Sequence, residues 1–165
     1  MRTNNKRVYL MMQGSMIAAI YVALTLAFAP ISYGVVQFRI SEALCVLPFF
    51  TPAAIPGLFV GCLLSNILGG AVPLDVIFGS LATLIGALGS WYLRMHRWCV
   101  CLPPIMANTL IIPWVLRYAY GAEEMIAFSA VTVGIGEILA IGVLGNVLLA
   151  ALSAYKNLVF RHQAV

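Results

Sequence analysis

Long apolar runs, broken by little more than proline, glycine and isolated charges, leave this chain few ways to fold. Of its 165 residues 63% are hydrophobic and 8% are charged, with a mean hydropathy of +1.03. A water-soluble domain of this size has no surface on which to tolerate that composition. Within a bilayer the backbone must satisfy its own polar groups, which favours helices. The chain therefore reads as an all-α integral membrane protein, a single transmembrane domain over residues 1–165. The first apolar run, from about Gly14, is too long for a signal peptide and is followed by further spans, so it is expected to remain in the protein.

Pro, Gly and charge divide the chain into roughly six segments, to be compared with the ~20 residues that cross the hydrocarbon. Segments at 14–32, 76–93 and 100–118 are of crossing length, and 125–155 is long enough to tilt or project. Between 41 and 68, Pro48, Pro52 and Pro56 rule out one continuous helix; two short helices are expected, meeting at Thr51-Pro52-Ala53. Six helices put both termini on one side. Arg2, Lys6, Arg7, Arg94, Arg97, Lys156 and Arg161 then share a face, with Arg39 and Arg117 opposite, and this seven-to-two split makes the termini cytoplasmic.

With that orientation Glu42, Asp75, Glu123 and Glu124 fall at outer segment ends, while Glu137 lies about ten residues into the last segment, roughly 15 Å deep. An ionisable group at a helix centre costs at least ~2.5 kcal/mol, so Glu137 requires a partner, a wet cavity or a ligand. A purely structural role, protonated or paired with Arg117 or Arg39, is the alternative. Asp75 and Glu42 also suit helix N-termini, where the dipole favours carboxylates.

The outer half further offers Asn66, Asn108, and Trp114 and Tyr118 one turn apart. Acids, amides and an indole together suit a flat polar heterocycle with N–H donors and a cationic amine. The aromatics equally suit interfacial anchors, as do Tyr33, Trp91, Trp98 and Tyr120. On an ideal helix Asn108 and Trp114 point apart, so both reach one cleft only if Pro113 bends the segment.

Small residues recur at four-residue intervals: Ala19, Ala23 and Ala27 in the first segment, and Gly57, Gly61, Ser65 and Gly69 in the third. The glycine stripe reads as internal packing, and the alanine stripe as packing or a docking face for another membrane protein. No GxxxxGK[ST] loop, HExxH or zinc-type Cys/His cluster occurs, so no metal or cofactor is expected and no enzymatic activity. Cys45, Cys62, Cys99 and Cys101 read as plain thiols, and His96 and His162 as flank residues. The net charge of +4 needs no nucleic acid, because its bases lie where anionic lipid attracts them.

The run Val36-Gln37-Phe38-Arg39-Ile40-Ser41-Glu42-Ala43-Leu44, continuing through Leu47-Pro48-Phe49-Phe50-Thr51-Pro52-Ala53-Ala54-Ile55-Pro56-Gly57-Leu58 to Ser65-Asn66, resembles the QueT-like proteins. These are substrate-binding S components of energy-coupling-factor (ECF) transporters assigned to queuosine precursors. The resemblance implies a six-helix protein in the plasma membrane of a prokaryote, with an outward pocket and no ATPase of its own. It also implies partners, a transmembrane coupling protein and two ATPase subunits, docked through an AxxxA signature matched here by Ala19 and Ala23. The implied substrate is a 7-deazaguanine such as the 7-aminomethyl form.

Laid against the residues, that chemistry gives Glu137 the ring N–H and exocyclic amine, and Asp75 or Glu42 the ammonium. Asn66 or Asn108 reads the carbonyl edge, Trp114 or Tyr118 stacks on the ring, and Arg39 orients Glu42 across one turn. Loops at 34–39 and 69–74 are expected to close the pocket. The rival is a stand-alone carrier in which Glu137 exchanges a proton for a cationic solute, although the segments show no clear inverted repeat.

Overall fold

The computed structural model describes residues 2–32, 38–121 and 125–155, and all regular structure among them is helical. Helix α1 covers Arg2–Ala27 and is followed across Phe28 by a single turn, α2, Ala29–Ser32. A 3-10 helix at Ile40–Phe49 leads through a turn into α3, Ala54–Leu68. Then come α4, Pro73–Tyr92, and α5, Leu102–Ala119. The last element is one continuous rod made of α6, Ile126–Glu137, a π-helical stretch, Ile138–Gly145, and α7, Asn146–Ala154.

Four of these are long and apolar enough to cross a bilayer: Lys6–Ala27, Pro73–Tyr92, Arg97–Ala119 and Ile126–Ala154. The expectation of six comparable helices is therefore met only in part. The proline-rich pair does form and meets near Thr51 to Ala53 as its sequence requires, but its members have 10 and 15 residues. At about 2.0 and 1.5 Å per residue each is shorter than the ~30 Å hydrocarbon. Pro48 has no N–H to give an α-helical ladder, and the tighter 3-10 winding carries the chain through it.

That 3-10 helix is the centre of the molecule. Ser41 to Pro48 are all buried, against α1, α3, α4 and the π stretch. Its apolar side joins Tyr21, Leu58, Ile141 and Leu149 in the core. The outer faces of the long helices instead present Met16, Ile20, Phe78, Ile85, Leu110 and Val147, as lipid contact demands.

Close helix approach explains the glycine stripe. A Cβ on Gly57 would lie 2.6 Å from the Gly14 carbonyl oxygen, and one on Gly61 2.8 Å from Tyr21 Cβ, so α1 and α3 meet backbone to backbone. Gly69 has left the helix and caps it. Gly70 next to it takes φ 73°, the left-handed turn that starts the descent into α4.

Candidate functional site

In the middle of this apolar bundle sits a closed polar cluster. Arg39, Glu42, Asn66, Asp75, Asn108 and Glu137 are each no more than 5% exposed. They come from six places in the chain: the loop before the 3-10 helix, the 3-10 helix itself, the end of α3, the first turn of α4, α5 and α6. Asp75 stands in the first turn of α4 behind Pro73, where the helix dipole favours a carboxylate.

The hydrogen bonds differentiate the three acids. Glu42 is fully engaged: the Tyr21 hydroxyl donates to its Oε1, and the Cys45 thiol to its Oε2 at 3.0 Å. Asp75 is half engaged. Its Oδ2 accepts from the Tyr120 hydroxyl at 2.9 Å and lies 3.7 Å from Arg39 Nη2. Glu137 accepts from Asn108 Nδ2 at 3.0 Å through Oε1. Three further acceptor atoms, Asp75 Oδ1, Glu137 Oε2 and Asn66 Oδ1, are buried with no hydrogen-bond partner among the described residues. The Asn66 amide nitrogen donates to the Asp75 carbonyl oxygen at 3.4 Å.

An unpaired buried acceptor costs about 1–3 kcal/mol, so three of them mark a place that a donor-bearing ligand would complete. Charge gives the same direction. Three buried carboxyl groups face one buried guanidinium among the described residues, and Glu137 lies within electrostatic reach of both Glu42 and Arg39. The arrangement suits a planar compound rich in N–H donors and carrying positive charge.

The structure separates Trp114 and Tyr118 from this cluster. They stack on each other, ring centroids 6.1 Å apart and planes within 9°, and are 52% and 72% exposed. With Leu74, Phe78, Leu110 and Ile111 they line an apolar cleft of about 370 Å³ on the outside of α4 and α5. α5 runs through Pro113 with Asn108 buried and Trp114 exposed, in keeping with the roughly 120° that separates the two on an ideal helix.

Sequence reasoning missed Tyr21, Cys45 and Tyr120 as members of the network. A tyrosine in an apolar span and a buried cysteine carry no local signal, whereas an acid in that setting does. Arg39 reaches Asp75 on another helix, a pairing that sequence spacing does not disclose. Tyr120, beyond the end of α5, has its phenol pushed up to about 12 by burial and by the Asp75 carboxylate beside it.

Ala19 and Ala23 point outward on α1, away from the face that carries Gly14, Ala18 and Tyr21 inward. Among the described residues no group of three His, Cys, Asp or Glu side chains is placed to hold a metal ion. Gly34 to Gln37, Glu123, Glu124, Lys156, Arg161, His162 and the anchor Tyr33 lie outside the described residues.

Comparison with known proteins adds the following. The family model described as QueT transporter matches residues 11–154. A relative from Lactococcus lactis subsp. cremoris (strain MG1363), named Queuosine precursor transporter QueT, is 42% identical over 73 residues. That stretch covers 43% of this chain and 43% of the relative, so the alignment spans less than half the length of either protein. No solved structure matches the chain.

Proposed function

From the premise that the chain belongs to the QueT transporter family, we propose that it is the substrate-binding S component of an ECF-type importer. It takes up a queuosine precursor, a 7-deazaguanine such as 7-aminomethyl-7-deazaguanine, from outside a prokaryotic cell. The observation that carries this reading is the set of three buried, unpartnered acceptors in a cluster of three acids and one arginine. The guanine edge of such a ligand presents neighbouring N–H groups and its arm an ammonium.

Glu137 Oε2 receives the ring edge, with Asn108 holding the other oxygen in place. Asp75, rather than Glu42, receives the ammonium, because both oxygens of Glu42 already have donors. Arg39 and Tyr120 fix the far oxygen of Asp75, and Asn66 adds an acceptor. Trp114 and Tyr118, on the lipid side, are left without a stacking role. The cluster is closed, so entry requires movement of the outer loops, for which Gly70 at φ 73° is a natural pivot.

The protein spans the membrane with both termini cytoplasmic, as the seven-to-two split of basic residues requires, the proline-rich pair completing the set of six segments. It binds substrate but does not hydrolyse ATP. A coupling protein, docked on Ala19 and Ala23, and two ATPases supply the energy.

Calorimetric titration of the purified protein with 7-aminomethyl-7-deazaguanine and with 7-deazaguanine tests this directly. Tight binding of the first and weaker binding of the second is expected. Binding of neither sinks the substrate assignment and favours the rival proton-coupled carrier built on Glu137, whose signature is uptake driven by a pH gradient in vesicles lacking any partner.

A further inference from the structure

Helices α4 and α5 run antiparallel, and the seam between them is tight at one end and loose at the other. At the inner end, in the orientation given above, a Cβ on Gly86 would lie 2.6 Å from Pro104 Cα and one on Gly89 2.4 Å from Pro103 Cβ. The two helices are pinned together there. Farther out, a Cβ on Gly79 would come no nearer to α5 than Ile112 Cδ1 at 3.9 Å, an ordinary contact. Along this outer half runs the apolar cleft of about 370 Å³, with Leu74 and Phe78 on one side and Leu110, Trp114 and Tyr118 on the other. At the outer tip Tyr120, just past α5, donates its hydroxyl to Asp75 Oδ2 in the first turn of α4 at 2.9 Å.

Tyr120 is also where the polar network reaches the surface. Tyr21, Cys45 and Asn108, which donate to the other two acids, are 0%, 0% and 3% exposed, whereas Tyr120 is 45% exposed. Gly121 follows it at φ 65° and Gly70 stands before α4 at φ 73°; an added Cβ on either would meet nothing within 4 Å. The backbone beside both partners can therefore turn without collision. We propose that the outer end of the α4–α5 seam is the entrance to the polar cluster and that Tyr120 is its latch. Its hydroxyl closes on Asp75 Oδ2 and lets go when the outer ends part about the glycine–proline contacts. This rests on the reading of the cluster as the substrate site. Opening costs the same phenol–carboxylate hydrogen bond whether the site is empty or filled, so the latch slows entry and exit alike.

The test compares Tyr120→Phe with the wild type in two ways. One is the association and dissociation rates of 7-aminomethyl-7-deazaguanine. The other needs no ligand: the rate at which N-ethylmaleimide labels Cys62, quantified at that residue by mass spectrometry. Cys62 is 0% exposed and its Sγ lies 3.8 Å from Asn66 Nδ2, so it reports access to the cluster. Loss of the hydroxyl should speed association, dissociation and Cys62 labelling each by roughly tenfold to hundredfold, the worth of one hydrogen bond to a charged acceptor, with Kd nearly constant. Labelling of Cys101, 4% exposed and next to the pinned inner end, should not change. Faster dissociation alone would make Tyr120 a positioning residue for Asp75 and overturn the latch. Equal acceleration at both cysteines, or at neither, overturns it as well. If the wild-type protein binds no deazaguanine, the substrate reading fails by itself and the labelling still decides the latch.

Discussion

Glu137 and Asp75 differ from Glu42 by one buried oxygen without a donor, and that difference predicts how each responds to substitution. Glu137→Gln should weaken 7-aminomethyl-7-deazaguanine by about tenfold to hundredfold, the worth of one hydrogen bond to a charged acceptor, with little change in thermal unfolding. Glu42→Gln should act on stability. Its new amide N–H₂ must face either the Tyr21 hydroxyl or the Cys45 thiol, and a cost of about 1–3 kcal/mol should appear as a lowered unfolding temperature. If Glu42→Gln lost affinity at unchanged stability, the division of labour between the two acids would be wrong. Tyr120 carries a pH signature. Its phenol is raised to about 12, so the folded state keeps a proton that the unfolded chain gives up near the ordinary value of ~10. Stability from this group is complete below about pH 10 and is lost as the pH rises toward 12. Thermal unfolding followed from pH 9 to 11 should decline less steeply in Tyr120→Phe than in the wild type. The six polar cluster residues were legible because a polar side chain in an apolar run is itself a signal. Trp114 and Tyr118 were not, since an aromatic pair one turn apart looks the same whether it faces a ligand or lipid.

Among the elements, the 3-10 helix and the π stretch do what an α-helix would not. The first carries Glu42, Cys45 and Val46 through the centre in a narrow winding that α1, α3 and α4 can surround. The second begins just after Glu137, and its wider turn seats Gly145 against Val46, where an added Cβ would approach Val46 Cγ1 to 2.8 Å. Proline placement announced the break between the 3-10 helix and α3, because a missing N–H is a property of one residue. The π stretch had no such herald: Ile138 to Gly145 is an ordinary apolar sequence, and its winding follows from packing on the 3-10 helix. The contact of α1 with α3 leaves no room for an added methyl group. Gly57→Ala should cost about 1–3 kcal/mol by forcing the helices apart at Gly14, and a lowered unfolding temperature would register it. Unchanged stability would mean that α1 shifts freely on α3.

At the scale of the whole molecule, α1 is a two-sided element: Tyr21 holds Glu42 on its inner side, while Ala19 and Ala23 form a smooth outer side. Replacing both alanines with leucine should therefore leave binding by the isolated protein intact and abolish uptake in vesicles that also contain the coupling protein and ATPases. Uptake at the wild-type rate would remove the docking role. What the sequence alone determined was the solvent and the cast: so apolar a chain requires a bilayer, and polar residues persisting in it had to be few, buried and gathered. Only the tertiary structure decided which of them meet and what each has left to offer. Hydrogen bonds between Tyr21 and Glu42, Asn108 and Glu137, or Tyr120 and Asp75 join residues 21, 29 and 45 positions apart. No local pattern encodes such pairings, because helix packing selects them, and the acceptors they leave unpaired appear only once every other donor has been placed.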